Sequence, residues 1–430
     1  MGFKIMLKNF LGMKLALFLF VILLGFVIVV KPYNNSPSIR SDGTGYHIWV
    51  HAIKERTLNF CSHREILKPV SALSMENTES NTCGVKYPPG VGIVQVPFTI
   101  LFAEKDTSKG FTNEEHFMIL LIGSGLLLGT VFLIGKVLAF EGCSNLTIIL
   151  SSLGGIFGTG LFHYATYDSS LSHIYSAFFF ALILYISMLK GNELQAVMHF
   201  NKIDLKKSVF ALSCFILILI RQTNILLILG ASVLLVFNES VSNQEKFKYG
   251  VLSATSVMSG IIFYVIYNFY HLGVASVSTY GDEKGVELGE FFINVFASYE
   301  GGLFTYYPIF LLAIVVGFFS KRWLVYTIFV SLTFGYGLIY GSWHSWWLGG
   351  GFGHRGFVDI VPIMILVTGL GVKRILSFRC HTFNKTLIIT VSLLCLYVTI
   401  ATQNAYWNSL YPFEGADEGE FWNAILSPVW

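Results

Sequence analysis

The sequence predicts an all-α polytopic membrane protein of about 11 transmembrane helices. Three observations carry that prediction. Hydrophobic residues fill 54% of the 430 positions and charged residues only 12%, about half the charge of an ordinary soluble domain. The apolar residues come in blocks of roughly 15 to 25, enough to cross about 30 Å of hydrocarbon as helix, without the two-residue alternation of a transmembrane barrel. Lys and Arg collect in alternate segments between those blocks, as the positive-inside rule requires. A net charge of +3 is too small to suggest nucleic acid as a partner; the bilayer is the expected surrounding.

The first block, Leu15 to Val30, follows Lys4, Lys8 and Lys14 as a signal peptide would, but Lys31-Pro32-Tyr33 offers no small-residue cleavage site. It therefore reads as span 1. Further blocks run over 115–138, 146–164, 172–189, 208–220, 224–237, 249–269, 304–319, 323–341, 357–371 and 386–402. The run 208–237 is read as two short spans, because Arg221-Gln222-Thr223-Asn224 interrupts it and suits an outside turn.

With the N-terminus inside, the inner segments hold fifteen basic residues: Lys4, Lys8, Lys14, Lys190, Lys202, Lys206, Lys207, Lys246, Lys248, Lys321, Arg322, Lys373, Arg374, Arg379 and Lys385. The short outer segments hold only Arg221, Lys284 and Arg355. This bias predicts a cytoplasmic N-terminus and an external C-terminus. One membrane domain, 1–430, would carry a large first outer loop at 31–114 and a short outer tail at 403–430. Cys143 and Cys380 would face the cytoplasm, and Cys214 and Cys395 would lie in spans. Cys61 and Cys83 alone share the outer side, so theirs is the one bridge this topology permits, given Cα atoms within reach.

The unusual polar clusters all fall outside. Arg40-Ser41-Asp42-Gly43-Thr44-Gly45-Tyr46-His47 sets a carboxylate between flexible residues just beyond span 1, where Asp42 suits a general base; a structural Ser-Asp-Gly turn would use the same residues. Lys86-Tyr87-Pro88-Pro89-Gly90 makes a stiff corner before a short interfacial helix, with Lys86 at the level of an anionic phosphate or of any anionic lipid. His163, Asp168 and His173 bracket a polar turn between spans, in a spacing that matches no metal motif; its tyrosines also suit plain interface anchors. Trp343, His344, Trp347, His354 and Arg355 surround a Gly-rich turn. Trp faces suit sugar rings and a guanidinium suits phosphate, though a Trp belt with an Arg355–Asp359 pair would look alike.

In their order along the chain, these motifs resemble the GT-C glycosyltransferases, in particular the bacterial relatives of protein O-mannosyltransferases and of the aminoarabinose transferase that modifies lipid A. The resemblance rests on Ser41-Asp42-Gly43, Lys86-Tyr87-Pro88-Pro89-Gly90, Ser172-His173, Arg221-Gln222-Thr223-Asn224, Gly302-Leu303-Phe304-Thr305-Tyr306-Tyr307-Pro308, Trp347-Leu348-Gly349-Gly350 and Phe352-Gly353-His354-Arg355. It implies a GT-C type first outer loop with short interfacial helices, a site at the outer face of a bacterial inner membrane and a polyprenyl-phosphate sugar as donor. The acceptor would be a cell-envelope glycan, lipid or protein. Asp42 would be the acceptor-side catalytic residue. Many relatives carry two adjacent acids where Asp42-Gly43 stands, and others have Pro where Gln222 and His354 stand. No cofactor follows from the residues, and the resemblance leaves a divalent metal open.

The expected chemistry is inverting transfer. Lys86, Arg221 and Arg355 would steady the leaving phosphate, while Tyr46, His47, Tyr87, His173, Trp343, His344, Trp347 and His354 would contact substrate. A lipid-linked glycan flippase would also suit many spans, but transporters tend toward paired halves and midplane polar residues. A glycan ligase or polymerase would carry its large loop late, whereas here the first loop is the largest.

Overall fold

The computed structural model describes residues 38–77, 81–104, 106–189, 199–200, 203–279, 285–378, 381–410, 412 and 414–427. The expected first span and Cys380 lie outside them. Numbering the longer helices in chain order, α1 is Asp42–Glu55, α2 Gly90–Thr99, α3 Asn113–Phe140 and α4 Asn145–Phe157. They are followed by α5 Ser172–Met188, α6 Leu205–Ile220, α7 Ile225–Val236 and α8 Asn243–Leu272. The last are α9 Ile309–Gly317, α10 Trp323–Tyr340, α11 Val361–Ile375, α12 His381–Trp407 and α13 Glu418–Leu426.

Five helical segments among the described residues are long and apolar enough to cross a membrane unaided: Asn113–Phe140, Asn243–Leu272, Trp323–Tyr340, Arg355–Ile375 and Lys385–Trp407. Shorter apolar helices accompany them, and the chain is a multi-pass membrane protein. The packing of α8 shows the solvent it is built for. Met258, Ile262, Ile266 and Phe269 are exposed along one side, while Ser253, Ser256, Gly260, Tyr264 and Tyr267 are buried. Apolar outside with small and polar inside is how helices pack when lipid, not water, is the surround.

One expected break between spans is present, and two expected spans are subdivided. Arg221 is extended (φ −158°, ψ 138°) and separates α6 from the 3-10 turn Gln222–Asn224 and α7, as its polar tetrad predicts. The block 146–164 breaks after α4 at Gly158, where a Cβ would lie 2.5 Å from the Gly154 carbonyl oxygen. The block 304–319 breaks at Tyr307-Pro308 between Leu303–Tyr306 and α9, because Pro308 has no N–H to continue a helical ladder.

Two antiparallel ribbons interrupt the helical pattern: β1 (Leu73–Asn77) with β2 (Thr82–Val85), and β3 (His199–Phe200) with β4 (Ile203–Asp204). The first is tied back into the outer loop by the Cys61–Cys83 disulfide, whose Cα atoms are 5.0 Å apart.

The described residues form two compact units, one of 130–163 and 285–427, the other of 38–129 and 164–279. Within each, loops expected on one side of the membrane meet one another. In the first unit, Arg322 pairs with Glu141 at 2.6 Å and Lys373 donates to the Glu141 carbonyl, joining three segments read as inside. Its outer segments meet through the Gly285–Trp343 bridge and the Tyr299 hydroxyl on Glu418. In the second unit, Lys207 pairs with Glu245 on the side read as inside, and Arg40 pairs with Asp168 at 2.7 Å on the side read as outside.

Candidate functional site

The second unit gathers five of the expected site residues into one neighbourhood. Asp42 opens α1, directly after Ser41 in a positive-φ conformation (48°). Its Oδ1 accepts a 2.7 Å hydrogen bond from the Tyr87 hydroxyl, and Lys86 stands over the Tyr87 ring, with Nζ 5.5 Å from the centroid. The Trp49 indole donates to the Tyr87 carbonyl at 2.8 Å, so α1 fixes both the backbone and the hydroxyl of that corner.

From Tyr87 the contacts run round a ring. Pro88 and Pro89 turn the chain into α2, whose first residue, Gly90, lies against the end of α6: a Cβ there would meet the Ile220 nitrogen at 2.4 Å. The next residue, Arg221, places Nη1 3.4 Å from His173 Nδ1 at the start of α5. Three residues before His173, Ser170 packs against Gly43, where a Cβ would lie 1.8 Å from the Ser170 hydroxyl. Gly43 follows Asp42, and the ring closes. Asp42, Lys86, Tyr87, His173 and Arg221 therefore lie along one circuit of contacts within this unit, and the Tyr46 ring packs on Tyr87 at 4.8 Å.

Gly43 and Gly45 admit Ser170 and the Tyr87 ring, the latter 2.1 Å from a Cβ at Gly45.

Arg40 was not among the expected site residues. Its guanidinium bonds Asp168 through Nε at 2.8 Å and lies 4.1 Å from the Tyr167 ring centroid. Burial works against its charge, but Asp168 and Tyr167 together outweigh burial and hold the Arg40 pKa above the ordinary arginine value. Its signal in the sequence was a cation two residues before Asp42.

The first unit holds the remaining candidates. Trp347 donates from its indole to Glu414 at 3.3 Å, and the Trp343 and His344 rings are tilted against each other with centroids 5.1 Å apart. Arg355 donates to the Leu348 carbonyl. His354, expected at substrate, is fully buried between Tyr340 and Phe357, at 5.2 and 4.8 Å. The Gly-rich turn is held from below: the Tyr307 hydroxyl donates to the Phe352 carbonyl at 2.7 Å, and Gly353 (φ 56°) leaves room for that hydroxyl.

His47 also departs from its expected place at substrate. It is fully buried, with Nδ1 2.8 Å from Gln95 Oε1 and Nε2 3.0 Å from Glu115 Oε1. His51, one turn further along α1, sends Nε2 to the same carboxylate oxygen at 2.8 Å. Among the described residues, His47, His51 and Glu115 are the one group of three His, Cys, Asp or Glu that could hold a metal ion, their ligand atoms all within 4.8 Å of one another. The legible signal was the His-x3-His spacing, which puts both rings on one helix face.

No protein-family profile and no curated protein matches the sequence. The fold, however, has clear counterparts among solved structures. The archaeal oligosaccharyltransferase AglB from Archaeoglobus fulgidus, in complex with an inhibitory peptide and a dolichol-phosphate, overlays with a TM-score of 0.53 at 9% identity, across 96% of this chain. The chain shares the fold of this membrane oligosaccharyltransferase. The apo form of the Archaeoglobus enzyme overlays on the chain with a TM-score of 0.54 at 9% identity, over 95% of the chain. The chain spans 57% and 56% of the length of those two structures. ArnT from Cupriavidus metallidurans, in the apo state, gives a TM-score of 0.46 at 10% identity, over 90% of this chain and 71% of its own.

Proposed function

We propose that this chain is a membrane glycosyltransferase that moves a sugar from a polyprenyl-phosphate donor to an envelope glycan, lipid or protein at the outer face of a bacterial inner membrane. The observation that carries the reading is the ring of contacts that brings Asp42, Lys86, Tyr87, His173 and Arg221 together within a GT-C fold. A carboxylate with two permanent cations on the same circuit of contacts suits group transfer from a phosphate. AglB, which shares the fold, is complexed with a dolichol-phosphate, and Lys86 and Arg221 are the cations we assign to a ligand of that chemistry.

In the step we envisage, an acceptor oxygen attacks the anomeric carbon as the carbon–oxygen bond to phosphate breaks, so the configuration inverts. The acceptor proton passes to Asp42, and the bonding electrons leave with the phosphate. Tyr87 orients the Asp42 carboxylate through Oδ1. Lys86 and Arg221 offset the charge that gathers on the leaving oxygen, where preorganised donors contribute most.

The experiment is transfer from a synthetic polyprenyl-phosphate sugar by purified, folded protein. Asp42→Asn should lower the rate by about 10² to 10⁴, the usual contribution of a general base. Wild-type transfer by Asp42→Asn would remove Asp42 from the chemistry. Donor movement across vesicles without any transfer by the wild type would replace the reading with a flippase.

A further inference from the structure

We propose that His47, His51 and Glu115 form a buried site for one divalent transition-metal ion of the zinc type, separate from the acidic residue assigned to catalysis. The hydrogen-bond chemistry of the three groups is the starting point. His51 Nδ1 lies 2.8 Å from the Glu104 backbone carbonyl, which can only accept, so Nδ1 carries the proton. With that tautomer the ring presents its Nε2 lone pair toward Glu115 Oε1 at 2.8 Å. His47 repeats the arrangement. Gln95 donates its amide to the Tyr175 hydroxyl at 2.8 Å, which turns Oε1 toward His47 Nδ1 and leaves Nε2 on the same Glu115 oxygen.

In these tautomers two imidazole lone pairs and a carboxylate converge on one point, an arrangement that a metal ion between them satisfies. Metal-ligating histidines are held in this way, with the far ring nitrogen on a carbonyl or amide oxygen that sets the tautomer. The second carboxylate oxygen is also held, accepting from the Thr112 amide at 2.9 Å and its hydroxyl at 3.0 Å.

The geometry fits a small ion. Ligands about 2.0 to 2.2 Å from a tetrahedral metal stand about 3.3 Å apart; the ion requires the present 2.8 and 3.0 Å nitrogen–oxygen separations to open by a few tenths of an ångström and the two Nε2 atoms, within 4.8 Å of each other, to draw together. All three side chains are buried to within 1% of full enclosure. The Phe111 ring lies against both histidines, at 4.9 and 5.4 Å, and shields the point from water. Nitrogen and oxygen donors without thiolate suit a borderline ion such as zinc. The ion would staple α1 to the start of α3 and, because Asp42 opens α1, would hold the helix that carries the proposed base.

The test uses the full chain purified in detergent from zinc-supplemented cells. Elemental analysis should find about one zinc per chain. Exchange with cobalt(II) should give the visible absorption bands of a tetrahedral nitrogen–oxygen site. His51→Ala and Glu115→Gln should drop to background metal, whereas His63→Ala, at a ring that touches His51 from outside the triad, should keep its zinc. X-ray absorption of the wild type should show two imidazole ligands, a readout that does not depend on any variant folding. Background metal in the wild type with no cobalt bands would overturn the proposal and leave a proton-bridged histidine–glutamate cluster. Sulfur ligands in the absorption spectrum would equally overturn it.

Discussion

Gly43 shows how closely the site is built. A Cβ at this position would lie 1.8 Å from the Ser170 hydroxyl and 2.7 Å from its Cβ, distances that no rotamer change on the glycine side can relieve. Gly43→Ala should therefore destabilise the protein by about 1 to 3 kcal/mol, the ordinary cost of overpacking. Ser170→Gly removes both clashing atoms and should restore most of that loss in the double variant, although alone it should be mildly destabilising. Thermal unfolding of the three variants measures the coupling. Strictly additive effects would mean that the two residues do not meet. The same contact seats Asp42, so transfer by Gly43→Ala should fall before its fold is lost.

The first outer loop behaves as one braced element. Its ribbon β1–β2 is anchored at Cys83 to Cys61, and the Val85 amide donates to the Tyr267 hydroxyl of α8 at 2.9 Å. The disulfide closes a separation of 22 residues, and a loop of that size constrains the unfolded chain enough to contribute about 2 to 4 kcal/mol. Replacing Cys61 and Cys83 by Ser should lower stability by that order and abolish a mobility difference between reduced and non-reduced protein on gels. An unchanged melting temperature would show that the hydrogen bonds of the loop suffice without the bridge. The five-residue strand Leu73–Asn77 escaped sequence reading because a lone, short ribbon in a long loop has no flanking periodicity to reveal it.

For the whole molecule, the distribution of basic residues and the loop contacts give the same grouping of segments. Glu141, Arg322 and Lys373 meet in one unit, and Lys207 meets Glu245 in the other. Exposed ion pairs of this kind add only about 0 to 1 kcal/mol each, so they mark which loops are neighbours and do not hold the fold together. The proposed orientation is tested by reporter fusions after Lys207 and after Trp430. The first should report cytoplasm and the second the external side. The same side from both would make the number of crossings between them even, against the proposed odd number.

Membrane class, the break at Arg221 and the Cys61–Cys83 pair were legible from residue types alone, because hydrophobicity, a charged interruption and compartment each act locally or on composition. Asp42, Lys86, Tyr87, His173 and Arg221 were legible as candidates, one motif at a time. Their convergence was not, since it depends on which helix ends abut: Gly90 on Ile220 and Gly43 on Ser170 are contacts over 130 and 127 positions of sequence. The metal-type cluster was hidden for the same reason. His47 and His51 announce a helix face, but Glu115 lies 64 residues beyond His51, and only the folded outer loop brings its carboxylate to both rings. Local patterns decide where a helix starts and what solvent it faces; burial against distant backbone decides which polar side chains share a point in space.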